Sequence, residues 1–223
     1  DLDLSKYIDH TLLREDSTDD DLAAVCKEAR VHGFQSVCVY WNQIGKIAPL
    51  LVGSGVNPIA VVGFPSGEVP TEVKVAETQK AIQDGAVEID MVLKRSLLFA
   101  GDTAGVESDI RAVVEAAQGR YVKVILETRE LSDDQKRVSC QIAQRAGAKF
   151  VKTSTGFSSK GGATVEDVAL MRSEVGDVMG VKASGGIRTR DAALAMVKAG
   201  ASRLGTSASM AIVGGKPASS GGY

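Results

Sequence analysis

Two lysines end apolar runs in this chain, Lys152 in FVKTSTG and Lys182 in GVKASGG, and each is followed within two residues by a hydroxyl and then by glycine. An ammonium group at the end of a buried strand must reach water or give up its charge. Giving it up leaves a free amine, a nucleophile suited to carbonyl carbon. Two such groups in one poorly solvated pocket are expected to depress each other's pKa, because neighbouring like charges disfavour double protonation. Asp90 interrupts a third apolar run, VEIDMV, where a carboxylate needs a cationic partner.

These side chains need a scaffold that brings distant segments together. Eight short β-branched runs lie near Ile8, Val39, Val61, Ile89, Ile125, Val151, Val181 and Leu204, alternating with helical patterns as in repeated βα units. Helices are expected over Asp19 to Arg30, Thr71 to Asp84 behind Pro70, Ser132 to Arg145 and Thr164 to Glu174. Gly33, Gly85, Gly147 and Gly200 follow such patterns where a left-handed cap is wanted. Eight units close into an α/β fold of the (β/α)8 TIM-barrel type, with an open doubly wound sheet as the competing arrangement. A single barrel domain is expected over 1–213, with a flexible tail over 214–223, GGKPASSGGY, that ends at Tyr223.

The active end of such a barrel is built from the C-terminal ends of its strands, which would gather Asp9, Asp90, Lys152, Thr155, Lys182 and Ser207. Barrels of this kind hold phosphate in the loops after strands seven and eight. Here those loops carry SGG at Ser184 to Gly186 and GTSAS at Gly205 to Ser209. Thr155 and Gly156 would complete the cradle. Blander readings stand beside each of these: a lysine at a strand edge, an aspartate capping a loop, a glycine pair in an ordinary turn, and serines capping a helix. His10 is expected to be packed or hydrogen-bonded, and Trp41 to be core or interface.

A formal net charge of -2 offers no one-signed field for nucleic acid or an anionic membrane. No apolar run is long enough to span a bilayer. Cys26, Cys38 and Cys140 stand far apart without a metal-ligand or redox spacing, which fits free thiols in a reducing cytoplasm. Small metabolites are the expected partners, in a soluble cytoplasmic protein.

Seven motifs in order, IDHTLL at Ile8, VGFPSG at Val62, EIDMV at Glu88, KVILET at Lys123, VKTSTGF at Val151, VKASGGIRT at Val181 and GASRLGTS at Gly200, resemble the deoxyribose-phosphate aldolase family over most of the chain. The resemblance implies a class I aldolase that cleaves 2-deoxy-D-ribose 5-phosphate reversibly to acetaldehyde and D-glyceraldehyde 3-phosphate. It implies a Schiff base on Lys152, with Lys182 and Asp90 lowering the amine's pKa and relaying protons. Phosphate loops at Gly156, Gly185, Gly186 and Ser207 carry over, with Thr155 alongside and Asp9 added as a further substrate contact. Neither a metal nor another cofactor is implied, and a homo-oligomer is expected. Departures from the family pattern fall at Trp41, Lys94, Arg129 and Ala208, away from the lysines. A phosphosugar isomerase, a transaldolase-like Schiff-base enzyme and a non-enzymatic phosphometabolite-binding barrel remain the rival readings.

Overall fold

The computed structural model describes residues 2–214. Eight parallel strands, β1 (Ile8–Thr11), β2 (Ser36–Tyr40), β3 (Asn57–Val62), β4 (Glu88–Val92), β5 (Tyr121–Ile125), β6 (Phe150–Lys152), β7 (Gly180–Ser184) and β8 (Arg203–Thr206), pair in sequence order. The ring closes where β8 pairs with β1, with Ile8 opposite Leu204 and Asp9 opposite Gly205. All eight expected strands are present, and the closed ring excludes the open sheet. The expected tail lies outside the described residues, apart from Gly214 at the end of the last helix.

Around the ring run α1 (Asp19–His32), α2 (Ile44–Leu51), α3 (Thr71–Gln83), α4 (Arg95–Phe99), α5 (Thr103–Ala116), α6 (Asp133–Arg145), α7 (Val165–Val175), α8 (Arg190–Ala199) and α9 (Ser209–Gly214). Local chemistry sets their starts. Thr18 and Ser132 each close a reciprocal capping box, with Asp21 and Gln135 respectively, which satisfies amides that a helix start leaves without partners. Gly33 ends α1 at φ +64, a left-handed conformation that glycine adopts without a Cβ penalty. The helix α2 carries Pro49 in its interior, a position where proline is normally disfavoured.

Strand residues alternate between two environments, as period two requires. Val37, Val39, Ile89, Met91, Val122, Val124, Val151, Val181 and Leu204 join the large apolar cluster shared with the helices. Cys38, Tyr40, Ile59 and Val61 form a second, smaller cluster with Leu13. Among the other strand positions are buried charged residues, Asp9, Glu88, Asp90, Lys123, Lys152, Lys182 and Arg203. Residues in register on adjacent parallel strands share a face, so Asp90 sits beside Lys123, and Lys152, Lys182 and Arg203 stand in a row across β6, β7 and β8. Cys26, Cys38 and Cys140 are buried free thiols. No helix among the described residues is long and apolar enough to cross a membrane.

Candidate active site

Asp90 is the hub of the barrel interior. Its Oδ2 accepts from Lys152 Nζ at 3.0 Å and from Lys182 Nζ at 2.9 Å, while Oδ1 accepts from Lys123 Nζ at 2.8 Å. Lys182 also pairs with Asp9 Oδ2 at 2.7 Å. Below them, Arg203 donates through Nη1 to Asp9 Oδ1 at 2.9 Å and through both terminal nitrogens to Glu88, at 3.0 and 3.3 Å. Lys123 Nζ lies 2.5 Å from Glu88 Oε1. All seven side chains are buried, and Lys152 retains only 3% of its surface.

Seven ionisable groups without solvent stay charged only where each charge is matched. Burial pulls the Lys152 amine below the ordinary lysine value, and the neighbouring Lys182 charge pulls in the same direction, against the opposing field of Asp90. Lys182 behaves differently. Burial opposes its charge, but Asp9 and Asp90 outweigh that cost and hold it well above the usual lysine range. The expectation that each lysine would depress the other is therefore corrected: one faces two carboxylates and keeps its proton, while the other shares a single carboxylate oxygen. Burial likewise opposes the Asp90 charge, yet Lys123, Lys182 and Lys152 keep its carboxyl well below the usual range.

Gly205 makes this packing feasible. A Cβ there would stand 2.9 Å from Lys182 Cε and 3.1 Å from Ser184 Cβ, inside ordinary contact distance. Gly205→Ala is expected to displace Lys182 and lower kcat by about 10²-fold, the scale of an ångström-sized misplacement of a catalytic group. Steady-state kinetics beside a thermal melt would check this, since wild-type kcat in the folded variant contradicts it.

The loops after β6 and β7 are knitted together. The Thr153 hydroxyl donates to Ser184 O and accepts from Ser184 N, Ser184 Oγ donates to Ser154 O, and Ala163 N donates to the carbonyls of Ser184 and Gly185. A side chain at Gly162 would overlap the Gly185 carbonyl, so that close approach requires glycine. Gly156, Gly185 and Gly186 all have positive φ, and Gly156, Gly186 and Ser207 are exposed at this end of the barrel.

Two expected substrate contacts are occupied within the protein. Thr155 donates from its amide and its hydroxyl to Glu127, at 3.2 and 2.5 Å, and the same hydroxyl accepts from Phe157 N. Its donors thus fasten the β6 loop to Glu127, a non-glycine residue at φ +59. Asp9 has no exposed surface, and its oxygens face Lys182 and Arg203. Ser209, beyond the exposed Ser207, lies 2.6 Å from His10 Nδ1, so His10 is hydrogen-bonded as expected. Trp41 packs partly buried on the main core.

Sequence reasoning missed Lys123, Glu88, Arg203 and Glu127. The signal existed for the first two, since both interrupt apolar runs as Asp90 does. A β/α barrel whose strand ends bury an amine beside a carboxylate and a second ammonium has the makings of an amine-dependent carbonyl chemistry.

The DeoC/LacD family aldolase description matches residues 4–214. A deoxyribose-phosphate aldolase of Brevibacillus brevis is 51% identical over 224 residues, covering 100% of each chain. One from Streptococcus sanguinis is 54% identical over 216 residues, 97% of this chain and 98% of its own. Among solved structures, the tetrameric deoxyribose phosphate aldolase of Aeropyrum pernix superposes with a TM-score of 0.88 at 36% identity, covering 95% of this chain and 89% of that one. This chain belongs to the DeoC/LacD aldolase family.

Proposed function

We propose that this aldolase cleaves 2-deoxy-D-ribose 5-phosphate reversibly to acetaldehyde and D-glyceraldehyde 3-phosphate, with Lys152 forming the Schiff base. One observation carries the assignment of the amine: among the buried bases on Asp90, Lys152 shares its only carboxylate oxygen with Lys182 and has its charge disfavoured by burial and by that neighbour. At pH 7 an ordinary lysine is a free amine in only about one molecule in 3,000, and each unit of pKa depression raises that share tenfold.

The Lys152 amine adds to the C1 aldehyde of the open-chain sugar, and loss of water leaves a protonated imine. Breaking the C2–C3 bond sends its electron pair into that imine, while the C3 hydroxyl loses its proton and becomes the aldehyde of glyceraldehyde 3-phosphate. The enamine left on Lys152 takes a proton at its terminal carbon, and water then releases acetaldehyde and regenerates the amine. Asp90 and Lys182, acting through a water, relay these protons. The exposed turns at Gly156, Gly186 and Ser207, with Gly185 beneath them, hold the phosphate. Thr155 shapes that cradle through Glu127, and Asp9 acts on the amine through Lys182.

A homo-oligomer in a reducing cytoplasm belongs to the same reading, supported by the tetramer formed by the Aeropyrum pernix protein and by three buried free thiols.

Acetaldehyde with borohydride, followed by peptide mass mapping, tests the reaction type and the residue together. A single reduced adduct is expected on the peptide containing Val151 to Gly156. Adduct elsewhere moves the amine. Protection by the sugar phosphate without any adduct favours an isomerase, and a donor screen separates a transaldolase-like enzyme.

A further inference from the structure

The barrel interior holds four bases, Lys123, Lys152, Lys182 and Arg203, against three carboxylates, Asp9, Glu88 and Asp90. If every group but Lys152 is ionised, the three cations offset the three anions and the cluster is neutral. Protonating Lys152 as well would leave one unmatched positive charge in a region from which water is excluded. The other bases each have a stronger claim on an anion. Arg203 forks onto Glu88 and reaches Asp9, Lys123 lies between Glu88 and Asp90, and Lys182 lies between Asp9 and Asp90.

We propose that Glu88 and Arg203, at the starts of β4 and β8 and outside contact with Lys152, are positioning residues whose charges set the protonation of the Lys152 amine by fixing the net charge of the buried cluster. The proposal rests on Lys152 being the reacting amine and adds how its reactivity is set. The groups that face Lys152 are Asp90 from β4 and Lys182 from β7, with Cys38 from β2, whose thiol burial keeps protonated. Asp9, Lys123, Glu88 and Arg203 act from behind these. Lys123 and Arg203 also lie 5.7 and 5.2 Å from the Phe150 ring centroid, so an apolar floor closes the cluster on that side and Phe150 brings no charge of its own.

The consequence has a sign that packing alone does not produce. Arg203→Met removes a cation, leaves the cluster one charge negative, and makes a proton on Lys152 welcome. Its acid limb, read as the pH dependence of borohydride trapping by acetaldehyde and of kcat/KM, should move up by about one unit, at the low end of what a buried neighbouring charge does. Glu88→Gln removes an anion and should move the limb down by a similar amount. The double variant E88Q/R203M restores neutrality and should return the limb to its wild-type position, although two ion-pair partners have gone. Arg203→Lys should leave it unmoved.

Thermal melts establish which variants fold. If Arg203→Met does not, Lys123→Met removes the same unit of charge and is expected to raise the limb likewise. Limbs moving in the same direction in E88Q and R203M, or a double variant displaced further than either, would overturn the proposal. A wild-type enzyme that traps no adduct at Lys152 would instead overturn the functional reading beneath it, so the two failures are distinguishable.

Discussion

Lys152→Met should abolish aldol cleavage while leaving the protein about as stable as it was. Deleting the covalent nucleophile removes the route through the imine, and a fall in kcat of about 10⁴ or more is expected, the scale on which enzymes lose rate when their nucleophile is removed. The stability half of the prediction follows from the charges. Lys152 is the base for which the interior has no carboxylate of its own, and the Oδ2 atom it touches is also held by Lys182 at 2.9 Å. Methionine keeps the length and apolar stem of lysine, so the cost should stay within about 1 kcal/mol, one shared hydrogen bond's worth. Coupled assay of glyceraldehyde 3-phosphate release and chemical denaturation would check both. Turnover above a tenth of wild type would remove Lys152 from the mechanism, and a variant that fails to fold would contradict the accounting of buried charge.

Lys182→Met should damage both properties. Here the deleted cation is the one that Asp9 and Asp90 share, and its removal leaves a buried carboxylate under-compensated, for which about 3–5 kcal/mol of destabilisation is the usual scale. Activity should fall by about 10²–10⁴, as for loss of a positioned acid-base group. A second effect adds to this: without the Lys182 charge, the Asp90 carboxylate favours a proton on Lys152, whose pKa then returns toward the ordinary value. The acid limb of kcat/KM should therefore move to higher pH, so that raising the pH recovers part of the lost rate. Raised pH with no recovery would mean that Lys182 serves only in proton relay. The contrast between two lysines side by side in register is the strongest discriminator available, because substitutions of the same type on neighbouring strands should separate stability from catalysis.

Much of the barrel could be read from composition and order. Continuous β-branched runs buried on both faces are legible as parallel strands without tertiary information, and the capping residues Thr18, Ser132 and Thr164 mark helix starts that the structure reproduces to within a residue or so. Pro49 shows the limit of such rules, since packing of Ile44, Ile47 and Leu51 against the core overrides the local preference against proline inside α2.

The chemistry divides along a similar line. That Lys152, Lys182 and Asp90 belong together was visible in the sequence, because each is an ionisable group set in an apolar run and such groups must find one another or water. Which lysine keeps its proton was not visible. That depends on Asp9 reaching Lys182 from a strand 173 positions away in the numbering, and on Glu88, Lys123 and Arg203 joining the same enclosure. Electrostatic energies fall off with distance in space and not along the chain. Composition and order supply the types of group available and the strands that carry them; the closure of β8 onto β1 sets their distances, and with them which amine has its charge disfavoured.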